Sequence, residues 1–130
     1  MTDTFPIQSG EDVVRVRQEV RALTVAAGFS LVDQTKFITA ASELARNTLL
    51  HGGGGQVYVS SFEMTGRKGV RLVFEDQGPG IADIERALQD GYSTGGGLGL
   101  GLSGARRLSN EFQIESRPGE GTRITIARWK

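Results

Sequence analysis

An α+β fold is predicted: a two-layer α/β sandwich whose mixed, mostly antiparallel sheet is covered by helices on one face. Three observations predict it. Helical and strand patterns are interspersed along the chain without the strict alternation of a parallel βαβ protein. The strand candidates fall into two adjacent pairs separated by turn residues, which reads as antiparallel hairpins. The 130 residues fit one domain, 1–130, long enough to bury roughly two thirds of its unfolded surface. No internal repeat and no proline-rich linker divides it.

The elements follow in order. Residues 9–27 read as a helix capped by Ser9, with Asp12 three positions on as a capping-box variant. Val13, Val16, Val20 and Leu23 line one face, Arg15, Glu19 and Arg21 face water, and Gly28 supplies a left-handed stop. A second helix runs from about Leu31 to Leu50 on a stripe of Phe37, Ala41, Leu44 and Thr48, and ends at Gly52 and its neighbours. Gln56–Phe62 and Val70–Glu75 alternate and are rich in Val, Tyr and Phe, so they form a hairpin through Thr65-Gly66-Arg67-Lys68-Gly69. The turn Gln77-Gly78-Pro79-Gly80 leads to a short helix near Ala82–Gln89. The glycine-dense stretch Gly91–Gly104 then opens a helix continuing to about Asn110. A last hairpin joins Phe112–Ser116 to Thr122–Arg128 through Pro118-Gly119-Glu120-Gly121.

Composition narrows the function. With 15 basic and 15 acidic side chains the chain lacks the basic excess of a nucleic-acid or anionic-membrane binder. Cys 0 removes disulfides, thiolate chemistry and cysteine-based zinc sites. No segment approaches the ~18 apolar residues of a membrane span, and Met1 to Pro6 lacks a signal-peptide pattern. A cytoplasmic protein is the expectation. Glycine is the anomaly: 19 residues, about twice the usual share of roughly 7%. There is no collagen period, so position must account for them.

Three places could carry chemistry. Glu43, Asn47 and His51 are spaced i, i+4, i+8 on one face of the second helix. A carboxylate beside a carboxamide offers a proton acceptor and an oxygen ligand for a hard cation such as Mg²⁺. The same pair also suits a solvated polar stripe, and His51 suits a helix end, where the dipole favours it. Glu75-Asp76-Gln77-Gly78-Pro79-Gly80 puts acids and glycines at the end of an apolar strand, where a base with an exocyclic amine could meet a carboxylate; an ordinary acidic turn reads alike. Gly95-Gly96-Gly97-Leu98-Gly99-Leu100-Gly101-Leu102-Ser103-Gly104 exposes backbone N–H groups ahead of a helix, which suits phosphates. Gly99-x-Gly101-x-x-Gly104 matches the dinucleotide fingerprint only formally, because no apolar strand precedes it. No P-loop and no eukaryotic-type kinase strings occur.

Taken in order with Gly121-Thr122, these elements resemble the GHKL ATP-binding domain, the Bergerat fold of gyrase B, Hsp90, histidine kinases and MutL. Glu43-Leu44-Ala45-Arg46-Asn47 looks like its N box, Asp76-Gln77-Gly78-Pro79-Gly80 like the first glycine box and Gly97-Leu98-Gly99-Leu100-Gly101 like the second. The resemblance spans residues 7–128. Ser42 to Asn47, Gly91-Tyr92-Ser93-Thr94 and Gly97 to Leu108 are similar to the RsbT-like switch serine/threonine kinases of bacterial stress signalling, relatives of the anti-sigma factor kinases. A histidine kinase would add a phosphoacceptor domain for which there is no room.

The resemblance implies ATP and Mg²⁺ as cofactors. It makes Glu43 the general base or the residue that orients the attacking hydroxyl, and Asn47 the Mg²⁺ ligand, and it allows Arg46 a phosphate contact or a surface ion pair. Asp76 would bind the adenine amine, with Gly78 and Gly80 in its turn, and Thr122 would support Asp76 directly or through water. Gly97, Leu98, Gly99, Leu100 and Gly101 would wrap the phosphates, Leu102 to Gly104 would begin the helix beneath them, and Thr94 would belong to the lid. The implied reaction is γ-phosphoryl transfer to a Ser or Thr of a STAS-domain antagonist or scaffold protein, with a PP2C-type phosphatase as a second partner. Alternatives are an anti-sigma factor that sequesters a sigma factor directly, a nucleotide-gated binding protein with little kinase activity, and an ATPase without protein substrate.

Overall fold

Ser9 begins the first helix by accepting a hydrogen bond from the Asp12 amide at 3.3 Å, while Asp12 Oδ2 accepts from the Gln8 amide at 2.8 Å. This reciprocal cap starts α1 (Gly10–Ala26), which follows strand β1 (Thr2–Ile7). The remaining elements are α2 (Leu31–Leu50), β2 (Gly55–Met64), β3 (Arg67–Asp76), α3 (Ile84–Ala87), α4 (Gly101–Arg107), β4 (Glu111–Ser116) and β5 (Thr122–Trp129). The computed structural model describes residues 2–81, 83–88 and 101–130.

The five strands form one antiparallel sheet in the order β1-β2-β3-β5-β4. Register explains why it has one apolar face. Val57, Phe74, Ile124 and Ile114 form one row across the strands, and Val59, Leu72, Ile126 and Phe112 form the next. Strand periodicity puts both rows on the same side, where α1 and α2 cover them. Val16 and Val20 of α1 and Phe37, Ala41 and Leu44 of α2 are fully buried there. The opposite face carries polar pairs such as Glu75–Arg123 at 3.5 Å and Arg71–Glu111 at 3.2 Å. The architecture is thus the α+β two-layer sandwich, with helices on one face.

The structure revises several expected boundaries. The β2–β3 turn is only Thr65-Gly66, both at positive φ (50° and 79°), so the strands run on to Met64 and from Arg67. Positive φ at both central residues defines a type I′ turn, whose twist matches the strands it joins. The short helix expected near Ala82–Gln89 is α3 alone, with Ala82 and Gln89 outside the described residues. The helix expected to reach Asn110 stops at Arg107, because the Asn110 amide donates to Ala127 O at 2.9 Å and Asn110 Oδ1 accepts from the Trp129 amide. β1 had no counterpart in the sequence reading. Pro6 breaks the strand pattern, and its missing N–H is tolerated because β1 lies at the sheet edge.

Candidate nucleotide site

The site is assembled where the C-terminal end of α2 meets the C-terminal end of β3. Glu43, Arg46 and Asn47 lie on the last turns of α2. Glu43 is half-buried and sits 3.5 Å from the exposed Arg46 guanidinium. Asn47 is half-buried, and its carboxamide has no hydrogen-bond partner among the described residues. Its backbone carbonyl accepts from the amides of His51 and Gly52 at 2.9 and 3.2 Å, which closes the helix. His51 is exposed at this end.

Asp76 is the last residue of β3. Phe74, two residues earlier, points into the core, so Asp76 shares the helix-covered side. The Gly78 amide donates to Asp76 Oδ1 at 2.9 Å, the geometry of an Asx turn. Burial raises the carboxyl above its ordinary value of 3.8, and the backbone amides of Gly78 and Thr122 pull the other way. Thr122 stands opposite Asp76 in the β3–β5 register, while its hydroxyl pairs with Ser116 Oγ at 2.8 Å.

Ser116 ties the turn after Asp76 to the β4–β5 turn. Its Oγ accepts from the Ile81 amide at 2.8 Å and contacts Gly121 O at 2.9 Å. The Gly119 amide donates to Pro79 O at 2.7 Å. Gly80, at φ 75°, packs its α-carbon against the Arg117 carbonyl, where a side chain would collide. Between these turns lies a cavity of about 600 Å³ lined by Asp76, Ile84, Ile114, Ser116, Thr122 and their neighbours. Ile84 and Ile114 give the apolar surface for a flat ring, and Asp76, one of four carboxylates in a lining that also holds Arg117 and Arg123, offers an acceptor for an amine at its edge.

The expected site residues divide into four groups. Glu43, Arg46 and Asn47 lie on α2; Asp76 and Thr122 line the cavity, with Gly78 and Gly80 in the turn that follows Asp76. Gly101 is the first residue of α4, and Leu102 packs against the core next to the buried Ser103. Thr94, Gly97, Leu98, Gly99 and Leu100 lie outside the described residues. Among the described residues no three of His, Asp and Glu cluster as a metal site. A single carboxamide with its oxygen uncommitted nevertheless fits Mg²⁺, which typically keeps waters and takes most remaining ligands from phosphates.

Gly52 and Gly55 were read from sequence only as a helix exit. In the fold they belong to the site. A methyl on Gly52 would overlap Asp76 Cγ and lie 2.6 Å from Oδ2; one on Gly55 would strike the Glu75 carbonyl and lie 2.9 Å from Thr48 Cγ2. Ser116 was also missed. The excess of glycine at 52–55, beyond what one helix stop needs, was the available signal.

Comparison with known proteins defines the class. Residues 32–130 match the family of histidine kinase-, DNA gyrase B-, and HSP90-like ATPases. The chain belongs to this family. It is 48% identical over 118 residues to the serine/threonine-protein kinase RsbT of Bacillus subtilis, covering 91% of this chain and 89% of that one. It is 31% identical over 125 residues to an anti-sigma F factor of Heyndrickxia coagulans, covering 91% and 83%. The RsbU and RsbW domains of a Mycobacterium tuberculosis protein superpose with a TM-score of 0.64 at 19% identity, over all of this chain and 32% of that longer one. Within the family the chain falls with the RsbT-type serine/threonine-protein kinases.

Proposed function

We propose that the chain transfers the γ-phosphoryl group of ATP to a Ser or Thr of a STAS-domain antagonist or scaffold protein. The setting is a bacterial stress or sigma-factor partner-switching module in the cytoplasm, where it also binds and activates a PP2C-type phosphatase. The observation that carries this reading is the pairing of two sites by one helix end. Glu43 and Asn47 stand on the last turns of α2, and the exit of that helix abuts Asp76 at the cavity.

In this mechanism the adenine enters the cavity with its amine toward Asp76, and the phosphates extend toward Asn47 and Gly101. Asn47 would hold Mg²⁺, which when bound neutralises charge on the phosphates. Glu43 accepts the proton of the incoming hydroxyl. The hydroxyl oxygen forms a new bond to the γ-phosphorus, the bridging P–O bond breaks, and ADP leaves with its electron pair. Such transfer depends chiefly on positioning and charge neutralisation, so one base and one metal ligand suffice. Arg46, whose pairing with Glu43 is long and solvent-exposed, is within reach of the same region and costs little to release.

The test is incubation with ATP, Mg²⁺ and a candidate STAS protein. Phosphoserine or phosphothreonine on that protein is expected; ATP binding without any phosphorylated partner would remove the enzyme assignment. The likeness to anti-sigma F factors supports one second reading, direct capture of a sigma factor. A pull-down that recovers sigma rather than an antagonist or phosphatase would favour it.

A further inference from the structure

Four consecutive glycines follow α2, and they are not equivalent. Gly53 and Gly54 have φ of 74° and 101°, a backbone region that other residues avoid. Gly52 has no such conformation. Any residue could adopt its backbone, so only space accounts for a glycine there. A Cβ on Gly52 would meet three atoms of the Asp76 side chain, the farthest, Oδ2, at 2.6 Å. Gly78 packs onto Gly52 itself: its own Cβ would lie 2.7 Å from Gly52 Cα, and its amide holds Asp76 Oδ1 at 2.9 Å. The carboxyl of Asp76 is therefore set against bare backbone at Gly52 and held by the amide of Gly78. Gly52 is also joined to the metal-side residue, since its amide donates to Asn47 O at 3.2 Å.

We propose that Gly52 is a specificity-determining position: its bare α-carbon seats the Asp76 carboxylate, and the preference for a base bearing an exocyclic amine depends on that seat. The inference rests on the reading of Asp76 as the acceptor of the adenine amine. A hydrogen bond has a tolerance of only a few tenths of an ångström around 2.9 Å. A methyl at Gly52 must displace either the carboxylate or the helix exit by more than that. Gly52 acts through Asp76 and is a positioning residue. Its loss should change which base is preferred more than whether a nucleotide triphosphate binds.

The probes are ATP and inosine triphosphate, which has a carbonyl in place of the amine and so offers Asp76 no donor at that position. For the intact chain ATP is expected to bind more tightly. Gly52→Ala is expected to cut ATP affinity about tenfold or more, the worth of one hydrogen bond to a charged group. Inosine triphosphate affinity should stay nearly unchanged, which also reports that the variant is folded. Gly53→Asn, in open space and at a conformation Asn tolerates, should keep the wild-type preference. A folded Gly52→Ala with an unaltered ATP preference would overturn the proposal.

Should Gly52→Ala fail to fold, the contact is read in an Asp76→Gly background, where the three side-chain atoms nearest the methyl are gone. Folding is then expected to be restored, and continued failure would equally overturn the proposal. Asp76→Asn separates the two levels. It replaces an acceptor by a group able to donate to inosine, so the preference should shift toward inosine triphosphate. If Asp76→Asn leaves the preference intact, the adenine assignment of Asp76 falls; if it shifts the preference and Gly52→Ala does not, only the role of Gly52 falls.

Discussion

The two ends of α2 are each held by an aspartate, and the two aspartates are in opposite electrostatic states. At the N-terminal end Asp33 accepts from Arg128 at 2.8 Å, and that guanidinium, foremost by its hydrogen bond, lowers the Asp33 carboxyl below its ordinary value. Arg128 also donates to Leu108 O at 2.8 Å, so one side chain joins α2, β5 and the end of α4. At the C-terminal end Asp76 meets no cation among the described residues. Burial raises its carboxyl, and backbone amides and bare glycine surround it. One end is fastened by a satisfied charge. The other keeps an acceptor met by backbone amides alone, which accords with the proposed role of Asp76 toward a base's amine.

The largest expected break in this comparison lies between the ends. Glu43→Gln should lower phosphotransfer by about 10²–10⁴-fold, the usual worth of a general base, while ATP affinity holds. Single-turnover phosphorylation alongside equilibrium binding checks both, and unchanged turnover would remove the base assignment. Next, Asp76→Asn should weaken ATP binding by roughly 10–100-fold, because a hydrogen bond to a charged acceptor is lost. Titration calorimetry reads this directly.

The pH responses of the two ends sharpen the contrast. Asp33, with its carboxyl depressed on folding, contributes stability that is present above its unfolded value and lost as pH falls through the folded one. Asp76, with its carboxyl raised, does the reverse: the fold loses stability as pH rises through its elevated value and the group ionises. Arg128→Met should flatten the acid arm of a Tm–pH profile, whereas Asp76→Asn should raise Tm near neutrality. A Tm near neutrality unchanged in Asp76→Asn would contradict the picture of a strained acceptor. The smallest effect belongs to the N-cap. Ser30 accepts from the Asp33 amide at 3.1 Å, and Ser30→Ala should cost about 1 kcal/mol of stability in denaturant melts with no change in ATP affinity.

Local chemistry made one part of the molecule readable and long-range contact hid the other. The cap at Ser9, the stripe of Phe37, Ala41, Leu44 and Thr48, and the alternation of β2 and β3 are set by residues a few positions apart. So are the order and content of the boxes around Glu43, Asp76 and Gly97. What escaped depends on partners far along the chain. Gly52 matters because Asp76 folds back onto it, and Ser116 because Ile81 and Thr122 converge on it. β1 escaped for another reason: an edge strand needs hydrogen bonds on one side only, so Pro6 does not disqualify it.

The position of β5 carries a consequence for the birth of the protein. It follows β4 in the chain yet inserts between β3 and β4, and it supplies Thr122 beside Asp76, with Gly121 just ahead of it packed on the Asp76 carbonyl. On the ribosome the N box and the acid emerge first, and they must wait for this strand before the cavity has a wall. A nascent chain therefore has no finished cavity until synthesis has passed Thr122. The proposed nucleotide site is complete only when the sheet is.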